Sequence, residues 1–190
     1  MKFDPDIHHR RSIRLKHYDY SQKGAYFITI CTRNREIIFD HNSIKNMIKK
    51  WWEKLPNKFH NVEIDEFIVM PNHIHGIIFI VGVVVVGADP CVCPNEKLGE
   101  HMDSQLGEHT GSPPHKIVQW FKTMTTNEYI NNVKMFGWKS FDGKLWQRNY
   151  YEHIIRNEKE LDVVRKYIIN NPLQWDFDKN NLTPISKPSS

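Results

Sequence analysis

The sequence predicts one α+β domain with a ferredoxin-like sheet, β-α-β-β-α-β, its helices on one face, followed by a further C-terminal helix. Three observations predict it. Short β-rich runs alternate with amphipathic segments at helical spacing. A Pro71-Asn72 turn joins two of the runs directly. A length of 190 residues with 39% apolar content suits a single domain with a real core.

The elements follow in order. Residues 26–32, Tyr-Phe-Ile-Thr-Ile-Cys-Thr, are β-branched and aromatic and predict the first strand. Ile44, Met47, Ile48, Trp51 and Leu55 repeat at helical spacing, and Pro56 is expected to stop that helix. A strand over 62–70 precedes the turn, and the run from His73 to Ile80 makes its neighbour. Ser112 with Pro113 predicts a helix start, and Ile117, Val118, Phe121 and Met124 supply an inner face. Residues 145–155 read as the fourth strand. Asn157 is a good N-cap, and Glu160 completes a capping-box-like pattern. Leu161, Val164 and Ile168 then form an apolar stripe that Pro172 is expected to end.

Residues 82–112 lose this periodicity. They hold Gly82, Gly87, Pro90, Pro94, Gly99, Gly107 and Gly111, and are expected to be a flexible insert. The domain limits follow: a basic arm at 1–20, a single domain over 21–175 and a tail at 176–190. Net charge is only +4, but residues 1–35 carry eight Lys/Arg against three Asp, interleaved with Tyr18, Tyr20 and Tyr26. Such an arm suits phosphate contacts and base stacking, with Arg10, Arg11, Arg14 and Lys16 as the DNA-binding candidates. Lys122 and Arg148 are further candidates. The longest apolar run is too short to span a bilayer and no secretory signal is visible, so a cytoplasmic protein without a membrane partner is expected. Three cysteines cannot all pair, which fits reduced thiols.

The chemistry-bearing residues lie in two segments. His73 and His75 are two apart on a strand, so their imidazoles project side by side while Ile74 faces away. Parallel neutral imidazoles make half of a divalent metal site. Tyr167 and Asn171 are four apart and share a helix face if the last turn stays helical. Asn171 precedes a proline, which opposes the α region.

Together these segments resemble the single-tyrosine HUH transposases, the insertion-sequence-200-like family, and most closely its REP-associated tyrosine transposase branch. The resemblance rests on His73-Ile74-His75 within Met-Pro-Asn-His-Ile-His-Gly, on Tyr-Ile-Ile-Asn-Asn-Pro at 167–172, on residues 145–157, and on Arg10-Arg11-Ser12-Ile13-Arg14-Leu15. It implies that Tyr167 attacks a DNA phosphate to give a 5′-phosphotyrosine. It implies a metal, Mg2+ or Mn2+, held by His73, His75 and the Asn171 amide. It further implies single-stranded or hairpin DNA with palindromic repeats as partner, and leaves a homodimer open. Two other classes stay open on the residues alone: a non-catalytic single-strand nucleic-acid binder, and a metal hydrolase drawing carboxylates from Asp65 or Glu66. His153 reads as a packed strand residue, and Lys166 or Arg165 as possible assistants to Tyr167.

Overall fold

The computed structural model describes residues 23–81, 114–177 and 181. The basic arm at 1–20 and the insert at 82–112 lie outside these residues, as do the tail positions 178–180 and 182–190. The elements are β1 (Gly24–Cys31), α1 (Asn42–Glu53), α2 (Leu55–Lys58), β2 (Val62–Val69), β3 (His73–Ile80), α3 (Pro114–Phe136), β4 (Tyr151–Ile155) and α4 (Glu158–Asn170). Two 3-10 segments, Arg33–Arg35 and Asn171–Phe177, flank them. The strands order as β2-β3-β1-β4, every neighbouring pair antiparallel. This is the ferredoxin-like arrangement that the sequence predicts.

Side chains alternate across a strand, so each strand serves two layers. On one face Ile28, Ile30, Ile74 and Ile78 are fully buried under α1 and α3, which contribute Ile48, Trp52, Ile117 and Phe121. Each such side chain stabilises the fold by roughly 1.5–3 kcal/mol. On the other face Ala25, Phe27, Ile77 and Ile155 pack against Leu161 and Ile168 of α4. Gly76 explains the glycine after the His pair. It lies on the first face, where a Cβ would come within 2.4 Å of the Trp52 ring. That ring stacks on Phe67 at 4.5 Å and leaves no space.

Three local expectations change. Pro56 does not end helical structure; it sits in the first turn of the short α2, where a missing N–H costs nothing. The fourth strand is Tyr151–Ile155 rather than 145–155. Leu145 and Trp146 both join the core layer under α1 and α3, and consecutive strand residues cannot both face one layer. They form an irregular segment instead, with the Arg33 N–H donating to Leu145 O and the Gln147 N–H to Cys31 O. Asn171 keeps helical dihedrals (φ −56°, ψ −39°) before Pro172, because the chain runs on into 3-10 turns. The expected start at Ser112 and Pro113 lies outside the described residues, and α3 begins at Pro114. Among the described residues no helix is long and apolar enough to cross a membrane.

Candidate active site

The site grows from the start of β3. Register pairs His75 with Thr29 and His73 with Cys31 of β1. The Thr29 hydroxyl therefore lies 2.8 Å from His75 Nδ1. Asn72 donates through Nδ2 to the Arg35 carbonyl at 3.0 Å, which turns its Oδ1 toward His73 Nδ1 at 2.8 Å. An amide oxygen only accepts, so His73 carries its proton on Nδ1 and directs a lone pair outward from Nε2. The two Nε2 atoms converge to 3.0 Å. Phe27 stacks on His75 at 5.3 Å. Both histidines are buried, 0% and 2% exposed. Tyr167 and Trp175, with rings 5.2 Å from His75 and 5.9 Å from His73, help to cover them.

The helix that carries Tyr167 is fixed at its start. The Glu160 N–H donates to Asn157 Oδ1 at 2.9 Å, the predicted cap. The reciprocal bond differs from a capping box, since Glu160 accepts from the Arg156 N–H at 2.8 Å, one residue before the cap. Its other oxygen lies 2.6 Å from His153 Nε2. The Arg156 N–H first, and His153 second, hold the Glu160 carboxyl below its ordinary pKa. His153 is thus spent at the helix start rather than in the site.

Farther along, Arg165 reaches Asp65 at 2.7 Å and 2.8 Å. Asp65 comes from the irregular register of β2 against β3 between Ile64 and Phe67, and such bulges re-aim side chains. Hydrogen bonding to Asp65 raises the Arg165 pKa. Neither group is therefore at hand for the roles the sequence left open, Arg165 beside Tyr167 or Asp65 on a metal.

Tyr167 is 38% exposed, and its hydroxyl lies 3.4 Å from His75 Nε2. Asn171 is 2% exposed, and its Oδ1 is buried without a hydrogen-bond partner among the described residues. A buried acceptor left unmatched is costly unless something supplies a positive charge or a donor.

This donor set fits a divalent cation. Two nitrogens in adjacent positions about 2.1 Å from one octahedral ion stand about 3.0 Å apart, the spacing of these Nε2 atoms. Asn171 Oδ1 is a neutral oxygen in need of a partner. Among the described residues no three His, Cys, Asp or Glu side chains cluster as a metal cage.

A cleft of about 470 Å3 opens beside these groups, lined among others by Phe27, Arg35, His75, Asn149, Tyr151 and Tyr167. Of the cationic candidates, Lys122 donates to the carbonyls of Gln147, Arg148 and Asn149 at 2.9, 3.3 and 3.3 Å. Burial lowers its pKa to about 8. Arg148 is exposed and belongs to a separate hollow with Lys144. Arg10, Arg11, Arg14 and Lys16 lie outside the described residues. Sequence reasoning missed Thr29, Asn72, Arg35 and Trp175. Only Asn72 carried a signal, being the hydrogen-bonding residue next to the His pair.

Several known proteins resemble this chain in sequence or fold. The family model "Transposase IS200 like" matches residues 99–171, a span that includes Tyr167 and Asn171 and stops short of the His pair. An "Uncharacterized protein" of Haemophilus influenzae is 42% identical over 187 residues, covering 94% of this chain and 96% of its own. A second protein of that organism, named "Putative REP-associated tyrosine transposase", is 25% identical over 165 residues, or 84% of this chain and 76% of its own. A solved structure of a REP-associated tyrosine transposase bound to a REP hairpin shares the fold. Its TM-score is 0.51 at 21% identity, over 87% of this chain and 77% of that one.

Proposed function

We propose that this chain, which belongs to the IS200-like transposase family in its REP-associated tyrosine transposase branch, cuts and rejoins a single DNA strand through Tyr167. One observation carries the reading. The Tyr167 hydroxyl lies 3.4 Å from His75 Nε2, which in turn lies 3.0 Å from His73 Nε2. A nucleophile and a pair of metal-ligating nitrogens thus meet at one point, on the wall of an open cleft.

In this reading the Tyr167 oxygen attacks a DNA phosphorus and forms a P–O bond. The bond to the 3′ oxygen breaks, and that oxygen leaves as a hydroxyl with a proton. The DNA keeps a 5′-phosphotyrosine. Because the phosphodiester is exchanged rather than hydrolysed, a second 3′-hydroxyl can reverse the step and join strands. His73, His75 and Asn171 would hold Mg2+ or Mn2+, which supplies Lewis-acid polarisation of the phosphate oxygens. Thr29 and Asn72 keep both imidazoles turned toward that position. Packing of Leu161 and Ile168 on Phe27 and Ile77 sets the height of Tyr167 above the sheet. The open side of Tyr167 admits the strand and lets its proton depart.

Single-stranded DNA bearing a hairpin is the substrate this reading favours, supported by the relative solved with a REP hairpin. The test is denaturing electrophoresis after mixing the protein with labelled hairpin DNA and Mn2+. A covalent protein–DNA adduct is expected. In Tyr167→Phe it should fall by roughly three orders of magnitude or more, with hairpin affinity nearly unchanged. Free cut product without adduct would favour the hydrolase instead, and DNA binding without either product would favour the plain binder.

A further inference from the structure

We propose that Arg35 is a phosphate-holding residue of this site, gripping a backbone phosphate of the unpaired strand that lies across the cleft. The inference rests on the functional reading above and adds a residue to it. Three observations carry it.

The first is charge. Among the described residues that line the cleft, Arg35 is the one permanent cation, and it shares that wall with Tyr167 and His75. A single-stranded substrate brings one negative charge per nucleotide into this space, and a guanidinium offers a planar fork of donors for phosphate oxygens.

The second is backbone conformation. Asn34 and Arg35 both have positive φ, 54° and 55°, in a region that side-chain-bearing residues seldom adopt. Asparagine tolerates it; arginine has no local reason to. Such strain persists only where the surroundings over-determine it, and it gathers at functional sites. Here the surroundings are explicit. The Arg35 carbonyl accepts from Asn72 Nδ2 at 3.0 Å, and its N–H donates to Thr32 O at 3.1 Å. Thr32, fully buried, donates its hydroxyl to Glu36 O at 2.7 Å and Asn72 O at 3.0 Å.

The third is coupling. Asn72 that fixes the Arg35 carbonyl also accepts from His73 Nδ1 at 2.8 Å. One buried amide therefore ties the backbone of Arg35 to the imidazole pair.

The test uses Arg35→Gly and Arg35→Lys in the full chain. Glycine accepts the positive φ, so Arg35→Gly should keep or raise the thermal midpoint while removing the cation. Affinity for unmodified hairpin DNA should fall about ten- to a hundredfold, and the log-log salt slope should lose about 0.7, the value for one single-strand phosphate. Arg35→Lys should restore the slope and only part of the affinity. The same oligonucleotide is then scanned with single neutral methylphosphonates. Wild-type protein should weaken at one particular phosphate near the cut, and Arg35→Gly should show no added loss at that phosphate. An Arg35→Gly variant with wild-type slope, or with the wild-type penalty at every methylphosphonate, overturns the assignment while adduct formation still stands. Wild-type protein that binds no hairpin DNA and forms no adduct overturns the reading beneath it.

Discussion

Thr29 and Asn72 each place a polar oxygen 2.8 Å from the far nitrogen of a site histidine. Such partners fix ring orientation and tautomer, and losing one typically weakens a metal site about 10- to 100-fold. Thr29→Val and Asn72→Ala should each lower Mn2+ affinity by that factor in calorimetry with the DNA-free protein. Unchanged affinity in both would remove the cation from between these imidazoles. His75→Ala should abolish binding and also destabilise the fold by roughly 1–3 kcal/mol, since its ring is buried against Phe27. At this scale the sequence pointed to His73, His75 and Tyr167, which the fold brings together, because spacing on a strand or helix is a local property. Thr29 and Arg35 were silent. Their roles arise from a register and from a left-handed turn, and neither leaves a pattern in consecutive residues.

The helix carrying Tyr167 depends on its first turn. Asn157→Ala should cost about 1 kcal/mol by removing the cap, read as a lower urea midpoint. Glu160 adds a pH dependence. Its folded pKa lies below the ordinary 4.5 because the Arg156 N–H and His153 favour the carboxylate. The stabilisation is therefore present above pH 4.5 and is lost as pH falls through the folded value. Thermal midpoints measured downward from pH 5 should fall less steeply in Glu160→Gln than in the wild type; parallel curves would show that the carboxylate does not anchor the helix. Helices were the legible elements, because their apolar stripes and caps are periodic. The fourth strand was read too long because β-rich composition does not reveal that Leu145 and Trp146 both turn inward.

Across the whole molecule the two sheet faces have separate tasks: α1 and α3 cover one, while the other carries α4 and the candidate site. Gly76 belongs to the first although it follows His75 directly. Gly76→Ala should destabilise by roughly 1–3 kcal/mol through overpacking against Trp52, seen as a lower thermal midpoint, with Mn2+ affinity retained in the folded fraction. A variant as stable as the wild type would mean that Trp52 yields freely. The sheet order was legible from the sequence of elements, whereas the burial of the histidines was not, since it depends on α4 and the turns after it closing over them. The alternation along β3 reaches further. Were the strand paired one residue out of step, His73 and His75 would enter the helix-packed layer and Ile74 would take their place. Packing and chemistry would fail together. A misassembled copy would hold neither the packed layer nor the imidazole pair on the Tyr167 side of the sheet.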